Sequence, residues 1–173
     1  MSVSRRRRAA STFLIALMLG GITACTPAPS DQASTVEAEE GEVVAVVDGD
    51  TIDVQLPDGE ARIRIIGIDT PEIAREPGET SDCYADEART SVNDLLYGRT
   101  VELRSDPTQD DVDRYGRLLR HVLVDGKSAA VLALGAGVGH EYTYDADYDG
   151  QAAHREAEKS AASHGVGLWS ACS

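Results

Sequence analysis

Residues 43–68 read VVAVVDGDTIDVQLPDGEARIRIIGI, and the fold turns on this stretch. Val43–Val47 is a β-branched run that meets a turn at Asp48-Gly49. From Thr51 to Leu56, the apolar Ile52, Val54 and Leu56 alternate with polar neighbours, the period of a half-buried strand. Pro57-Asp58-Gly59 supplies a second turn. The stretch then resumes as Ala61–Ile68, carrying Ile63, Ile65, Ile66 and Ile68. Three strands joined by tight turns make an antiparallel meander.

Outward from there, Tyr84–Tyr97 has helical spacing in Ala88, Val92, Leu95 and Leu96, with Gly98 as its C-terminal stop. Val101–Leu103 and Leu118–Val124 read as two further strands, the second ending at Asp125-Gly126. Lys127–Gly137 is a short Ala/Leu-rich helix, and Gln151–His164 a longer one closed by Gly165. Five strands and three helices, strands first, predict an α+β, mainly β, unit: a small closed barrel of the OB type. Trp169 is expected to plug its core. There is no internal repeat.

The chain has 173 residues, with 16 Lys+Arg against 30 Asp+Glu and a formal net charge of −14. That length holds one ordinary domain and excludes a multidomain machine. Aromatics at 5% exclude a broad aromatic stacking platform, and the acidity argues against a conventional basic nucleic-acid binder.

Residues 1–24 stand apart from the fold. Arg5–Arg8 form a positive head, and Ala9–Ile22 is apolar or small, shorter than the ~20 residues of a spanning helix. This is the layout of an export signal. Ile22-Thr23-Ala24-Cys25 resembles a bacterial lipoprotein lipobox, with Cys25 the lipidated residue. The alternative is ordinary cleavage near Ala24. The expected location is extracytoplasmic, lipid-anchored to the outer face of the cell membrane or released.

Removing residues 1–24 takes four arginines from the 16 Lys+Arg, leaving 12 against 30 acids, a net of −18. With Cys25 lipidated, Cys83 and Cys172 remain as an even pair in an oxidising compartment. A bridge between them would be worth about 3–4 kcal/mol by loop-closure entropy. The alternative is two free thiols. Residues 25–41, small, polar and acidic, read as a flexible tether of roughly 20 Å reach. The folded domain is then 42–173.

Three polar clusters carry the chemistry: Asp48-Gly49-Asp50-Thr51; Arg64 with Asp69-Thr70-Pro71-Glu72; and Asp113-Arg114-Tyr115-Gly116-Arg117. Each alone could be no more than a turn. Together and in this order, with Gly167-Leu168-Trp169 at the end, they resemble the staphylococcal nuclease (thermonuclease-like) family over about residues 43–170. The resemblance implies an OB-fold, calcium-dependent phosphodiesterase that cleaves DNA and RNA to 3′-phosphate ends.

By that resemblance Asp50 and Asp69 would hold calcium, with the Thr70 carbonyl, as hard oxygens suit that ion. Glu72 would position or deprotonate the attacking water. Arg64 and Arg117 would grip the phosphate, since a guanidinium binds it bidentately. Arg114, Tyr115 and Tyr142, and more loosely Tyr144, would contact the rest of the substrate. The expected partners are nucleic acid and, through lipid, a membrane; the protein is expected to be a monomer. A different class of reading is a catalytically silent OB-fold module, or a calcium-binding surface lipoprotein.

Strict alternation puts Arg64 and Asp69 on opposite faces of one strand, so their convergence requires a break, expected at Gly67. Asp145, Asp147 and Asp149, with Gly150 and Glu156, fit the spacing of a calcium-binding loop, against the simpler reading of acids capping a helix. His121, His140, His154 and His164 show no zinc-type spacing and are assigned nothing.

Overall fold

The computed structural model describes residues 38–172; residues 1–24, read as an export signal, Cys25 and most of the segment read as a tether lie outside them. Five strands form the barrel: β1 (Ala38–Asp48), β2 (Thr51–Leu56), β3 (Gly59–Ile65), β5 (Thr100–Arg104) and β6 (Leu118–Val124). Their order is β3-β2-β1-β5-β6, and a parallel pairing of β3 with β6 closes the ring. Closure leaves the barrel without open edges along these strands. The accessory strands are β4 (Ile68–Asp69), β7 (Lys127–Ser128) and β8 (His140–Glu141).

β1 makes closure possible because it serves two partners. Ala38–Glu42 pairs with β5, and Glu42–Asp48 pairs with β2 through two register shifts. Such irregularities bend a strand sharply. At the crossover a Cβ on Gly41 would lie 2.5 Å from Val54 Cγ1, so only glycine fits. From Ala38, the first described residue, the chain is already strand, inside the segment assigned to the tether. Residues 38–40, exposed or half-buried, carry no apolar alternation; ladder hydrogen bonds to β5 order them instead of burial.

Val43, Val54, Ile63, Leu103, Val122 and Leu134 form the centre of the core. Helix α1 (Ala85–Leu96) lays Ala85, Ala88, Val92 and Leu96 against β1. Helix α2 (Ala129–Gly135) starts where Ser128 Oγ accepts the Val131 N–H, and it packs on β6 and on α3 (Gln151–His164). Gly165, left-handed, ends α3.

A one-turn helix, α4 (Leu168–Ala171), follows. Cys172 at its end is disulfide-bonded to Cys83 just before α1, with Cα atoms 5.8 Å apart. Trp169 is not the core plug expected. It is half-buried outside the barrel, edge-on to His140 at 4.9 Å between ring centres. A four-residue helix cannot carry so large a ring inward, and aliphatic side chains already fill the interior.

Candidate active site

The site begins at the turn between β1 and β2. Asp50 is 2% exposed: its Oδ1 accepts the Thr51 hydroxyl (2.9 Å) and its Oδ2 the Thr70 N–H (3.1 Å). One carboxylate thus fastens the β1–β2 turn to the chain that follows β4.

β3 stops at Ile65 and β4 starts at Ile68, so the strand breaks at Ile66-Gly67, as the convergence of Arg64 and Asp69 requires. Gly67 has φ +84°, and a Cβ there would stand 2.3 Å from His154 Nδ1. The break lets Arg64 reach both carboxylates: Nη2 lies 2.9 Å from Asp69 Oδ1 and 3.2 Å from Asp50 Oδ2. Its Nη1 donates to the carbonyls of Ile65 and Ile68, which fixes the guanidinium plane.

Arg117 arrives through the parallel register, in which Arg64 faces Leu119 two residues further on. Its Nε donates to Asp113 Oδ2 (2.7 Å) and its Nη1 to Thr51 Oγ1 (3.2 Å). Thr51 therefore joins Arg117 to Asp50. Asp113 also accepts the N–H groups of Tyr115 and Arg117, closing the turn beneath the arginine. The Tyr115 ring, 68% exposed, lies under the Arg114 guanidinium at 4.7 Å and near that of Arg117 at 5.3 Å.

These groups face a cleft of about 400 Å³. Arg64, Asp69, Glu72, Arg114, Tyr115 and Arg117 line it, together with Tyr142 and Tyr144. Asp50 and Thr70 are buried behind the wall, and Asp50 is linked to the cleft through Arg64 directly and through Thr51 to Arg117.

Negative charge is crowded here. Burial, and then the neighbouring Asp50 and Glu72, push the Asp48 carboxyl up to about 6. Burial and Asp50 raise Glu72; burial raises Asp69 against the pull of Arg64. Asp48 Oδ1 and Thr70 Oγ1 are buried without a hydrogen-bond partner. Excess carboxylate charge with an orphaned oxygen is a donor set that suits a hard cation, although among the described residues no three such groups form a closed cage.

Two contributors were not singled out from sequence. Asp48 lies within the first cluster, and its signal was the Asp-Gly-Asp repeat. Asp113 counted only as an acid beside Arg117, whereas it orients that arginine. Among the described residues, the acids of the Asp145–Glu156 segment do not converge as a group of three. Instead the segment is tied down by Asp106, whose Oδ2 accepts the Asp149 N–H (2.8 Å), and by Thr108, which donates to the Asp147 carbonyl.

Residues 62–171 match the family described as "Staphylococcal nuclease homologue". The chain is 29% identical over 157 residues to the thermonuclease of Staphylococcus hyicus, covering 91% of each. It is 34% identical over 140 residues to the protein ParB of Escherichia coli, covering 75% of this chain and 72% of that one. It is 33% identical over 125 residues to the SPbeta prophage-derived endonuclease YokF of Bacillus subtilis (strain 168), covering 72% of this chain. This chain spans only 42% of the length of YokF. The family match, covering more than half of the chain and including Arg64, Asp69, Glu72 and Arg117 of the cleft, places this protein in the staphylococcal nuclease family.

Proposed function

We propose that the protein is a calcium-dependent phosphodiesterase that hydrolyses DNA and RNA and leaves 3′-phosphate ends. The observation that carries this reading is the arrival of Arg64 from β3 and Arg117 from the turn just before β6 at one cleft, beside Asp69 and Glu72. Two guanidiniums held by their own carboxylates are preorganised donors for a phosphate oxyanion.

Water attacks phosphorus on the side away from the 5′-oxygen; the P–O5′ bond breaks, and that oxygen takes up a proton as it leaves. Glu72 holds the attacking water and accepts its proton, a role suited to a carboxyl raised by burial and by Asp50. Arg64 and Arg117 bind the non-bridging oxygens, and Thr51 and Asp113 keep Arg117 in place. Asp50 and Asp69, with the Thr70 carbonyl, would hold calcium, which when bound offsets the charge of the phosphate. Arg114, Tyr115 and Tyr142 bind the flanking nucleotides. Beyond the described residues, lipidation at Cys25 would fix the enzyme to the outer face of the membrane and release would free it; the protein acts as a monomer.

Incubating the purified protein with single-stranded DNA, with calcium and with a chelator, tests this reading. Cleavage is expected only with calcium, and Glu72→Gln should lower kcat by about 10²–10⁴-fold. Nucleotide and calcium binding without any cleavage would make the protein a silent binding module.

A further inference from the structure

Glu72 sits at the mouth of an irregular segment, residues 71–84, outside any helix or strand. Among the described residues its carboxylate accepts no hydrogen bond and feels Arg64 and Arg75 only through their charge, so the backbone does most to place it. That backbone is latched. The Glu72 N–H donates to Asp82 Oδ2 (3.1 Å), and the Asp82 N–H donates to the Glu72 carbonyl (2.9 Å). One step inward, the Ala74 N–H donates to Ser81 Oγ (3.0 Å).

The two limbs of the loop are fastened to different parts of the molecule. Arg75 bridges to the buried Asp48 on β1. On the other limb, the residue after Asp82 is Cys83, bonded to Cys172 at the end of α4. α4 is itself tied to the turn that follows α2, where the Leu168 N–H donates to the Gly137 carbonyl (2.9 Å).

We propose that Asp82 is a positioning residue for Glu72, and that the Cys83–Cys172 disulfide is the anchor that keeps this latch shut. The inference rests on the role given to Glu72 above. Without the latch the limb that carries Glu72 is held only further along, at Ala74 by Ser81 and at Arg75 by Asp48, and Glu72 swings relative to the two arginines. A displacement of about 1 Å at a reacting group costs up to about 10²-fold in rate. Both cysteines are exposed, so a dithiol reaches them. Two electrons break the Sγ–Sγ bond, each sulfur takes a proton, and the dithiol closes to its own disulfide.

The test compares Asp82→Ala, Asp82→Asn and Glu72→Gln, alone and combined, with wild type in its oxidised and dithiol-reduced forms. Thermal melting confirms the fold of each, and amide exchange reads the Glu72 N–H. Asp82→Ala should lower kcat about 10- to 100-fold with KM changed less than about 2-fold. Asp82→Asn keeps an acceptor oxygen and should recover most of that loss. In the Glu72→Gln background, Asp82→Ala should cost nothing further, because it acts only through Glu72. Reduced wild type should lose kcat in the same sense.

In Asp82→Ala the Glu72 amide should exchange about tenfold faster, a readout that needs neither substrate nor calcium. Full kcat in Asp82→Ala beside a Glu72→Gln that has lost it overturns the proposal. So does an equal Asp82→Ala loss in the Gln background, or an unchanged Glu72 amide. An inactive wild type whose Glu72 amide is protected by Asp82 would instead sink the hydrolase reading and leave the latch standing.

Discussion

Asp48 shows how one side chain can serve a site at the expense of the fold. It is buried, one of its oxygens has no partner, and its pKa lies near 6 against an ordinary 3.8. The folded state therefore holds the Asp48 proton more tightly than the unfolded chain does. The resulting penalty is absent below about pH 4 and complete above about pH 6. Asp48→Asn should accordingly raise the melting temperature in chelator at pH 7.5, by an amount equivalent to at most about 3 kcal/mol. The gain should vanish near pH 4 and shrink in calcium, where a cation offsets the same crowding. A variant less stable than wild type at pH 7.5 in chelator would show that the Arg75 pair outweighs the burial. None of this was legible in the sequence. The order of the motifs marked Asp50, Arg64, Asp69 and Arg117, but an orphaned oxygen and an arginine steered by Asp113 depend on burial and register.

At the scale of elements, the sequence located the strands and helices well wherever period and stop signals coincide. Leu118–Val124 and Gln151–His164 have the bounds that their apolar pattern and terminal glycines imply. It missed Ala38–Gly41, whose order comes from a partner strand rather than from its own composition. Also hidden was the cross-link between the strand end and the loop before α3, built on Asp106. Burial works to raise the Asp106 carboxyl, but hydrogen bonds from His121, the Asp149 N–H and Thr108 outweigh it and hold the group at about 2. A depressed carboxyl stabilises the fold above its unfolded value of 3.8 and loses that contribution as the pH falls toward 2. Asp106→Ala should therefore cost about 2 kcal/mol at pH 7 in a urea melt, and progressively less below pH 4. It should also loosen Ala146–Asp149, seen as faster amide exchange at Asp149. An equal loss at pH 7 and pH 2.5 would mean that Asp106 matters only for its packing.

Over the whole molecule, the arithmetic of charge and the chemistry of the cleft pull in opposite directions. The chain carries a net −14, yet its proposed substrate is a polyanion. Nor is the cleft a local reservoir of positive charge. Asp50 and Asp69 engage Arg64, Asp113 engages Arg117, and Asp110 and Asp145 share the walls. Attraction to phosphate is therefore short-ranged and directional, while the long-range field is repulsive. The Debye length falls from about 30 Å at 0.01 M salt to about 10 Å at 0.1 M. Over that interval screening removes the repulsion felt at a distance and leaves the arginine contacts largely intact. At fixed calcium, kcat/KM on long single-stranded DNA should rise a few-fold from about 10 to 100 mM salt, then fall as those contacts are screened too. A dinucleotide, with one phosphate, should show little of the rise. A steady decline from 10 mM upward, the ordinary trend for basic nucleic-acid binders, would mean that bound calcium already reverses the field at the cleft mouth. The acidic surface would then serve solubility and leave substrate capture untouched.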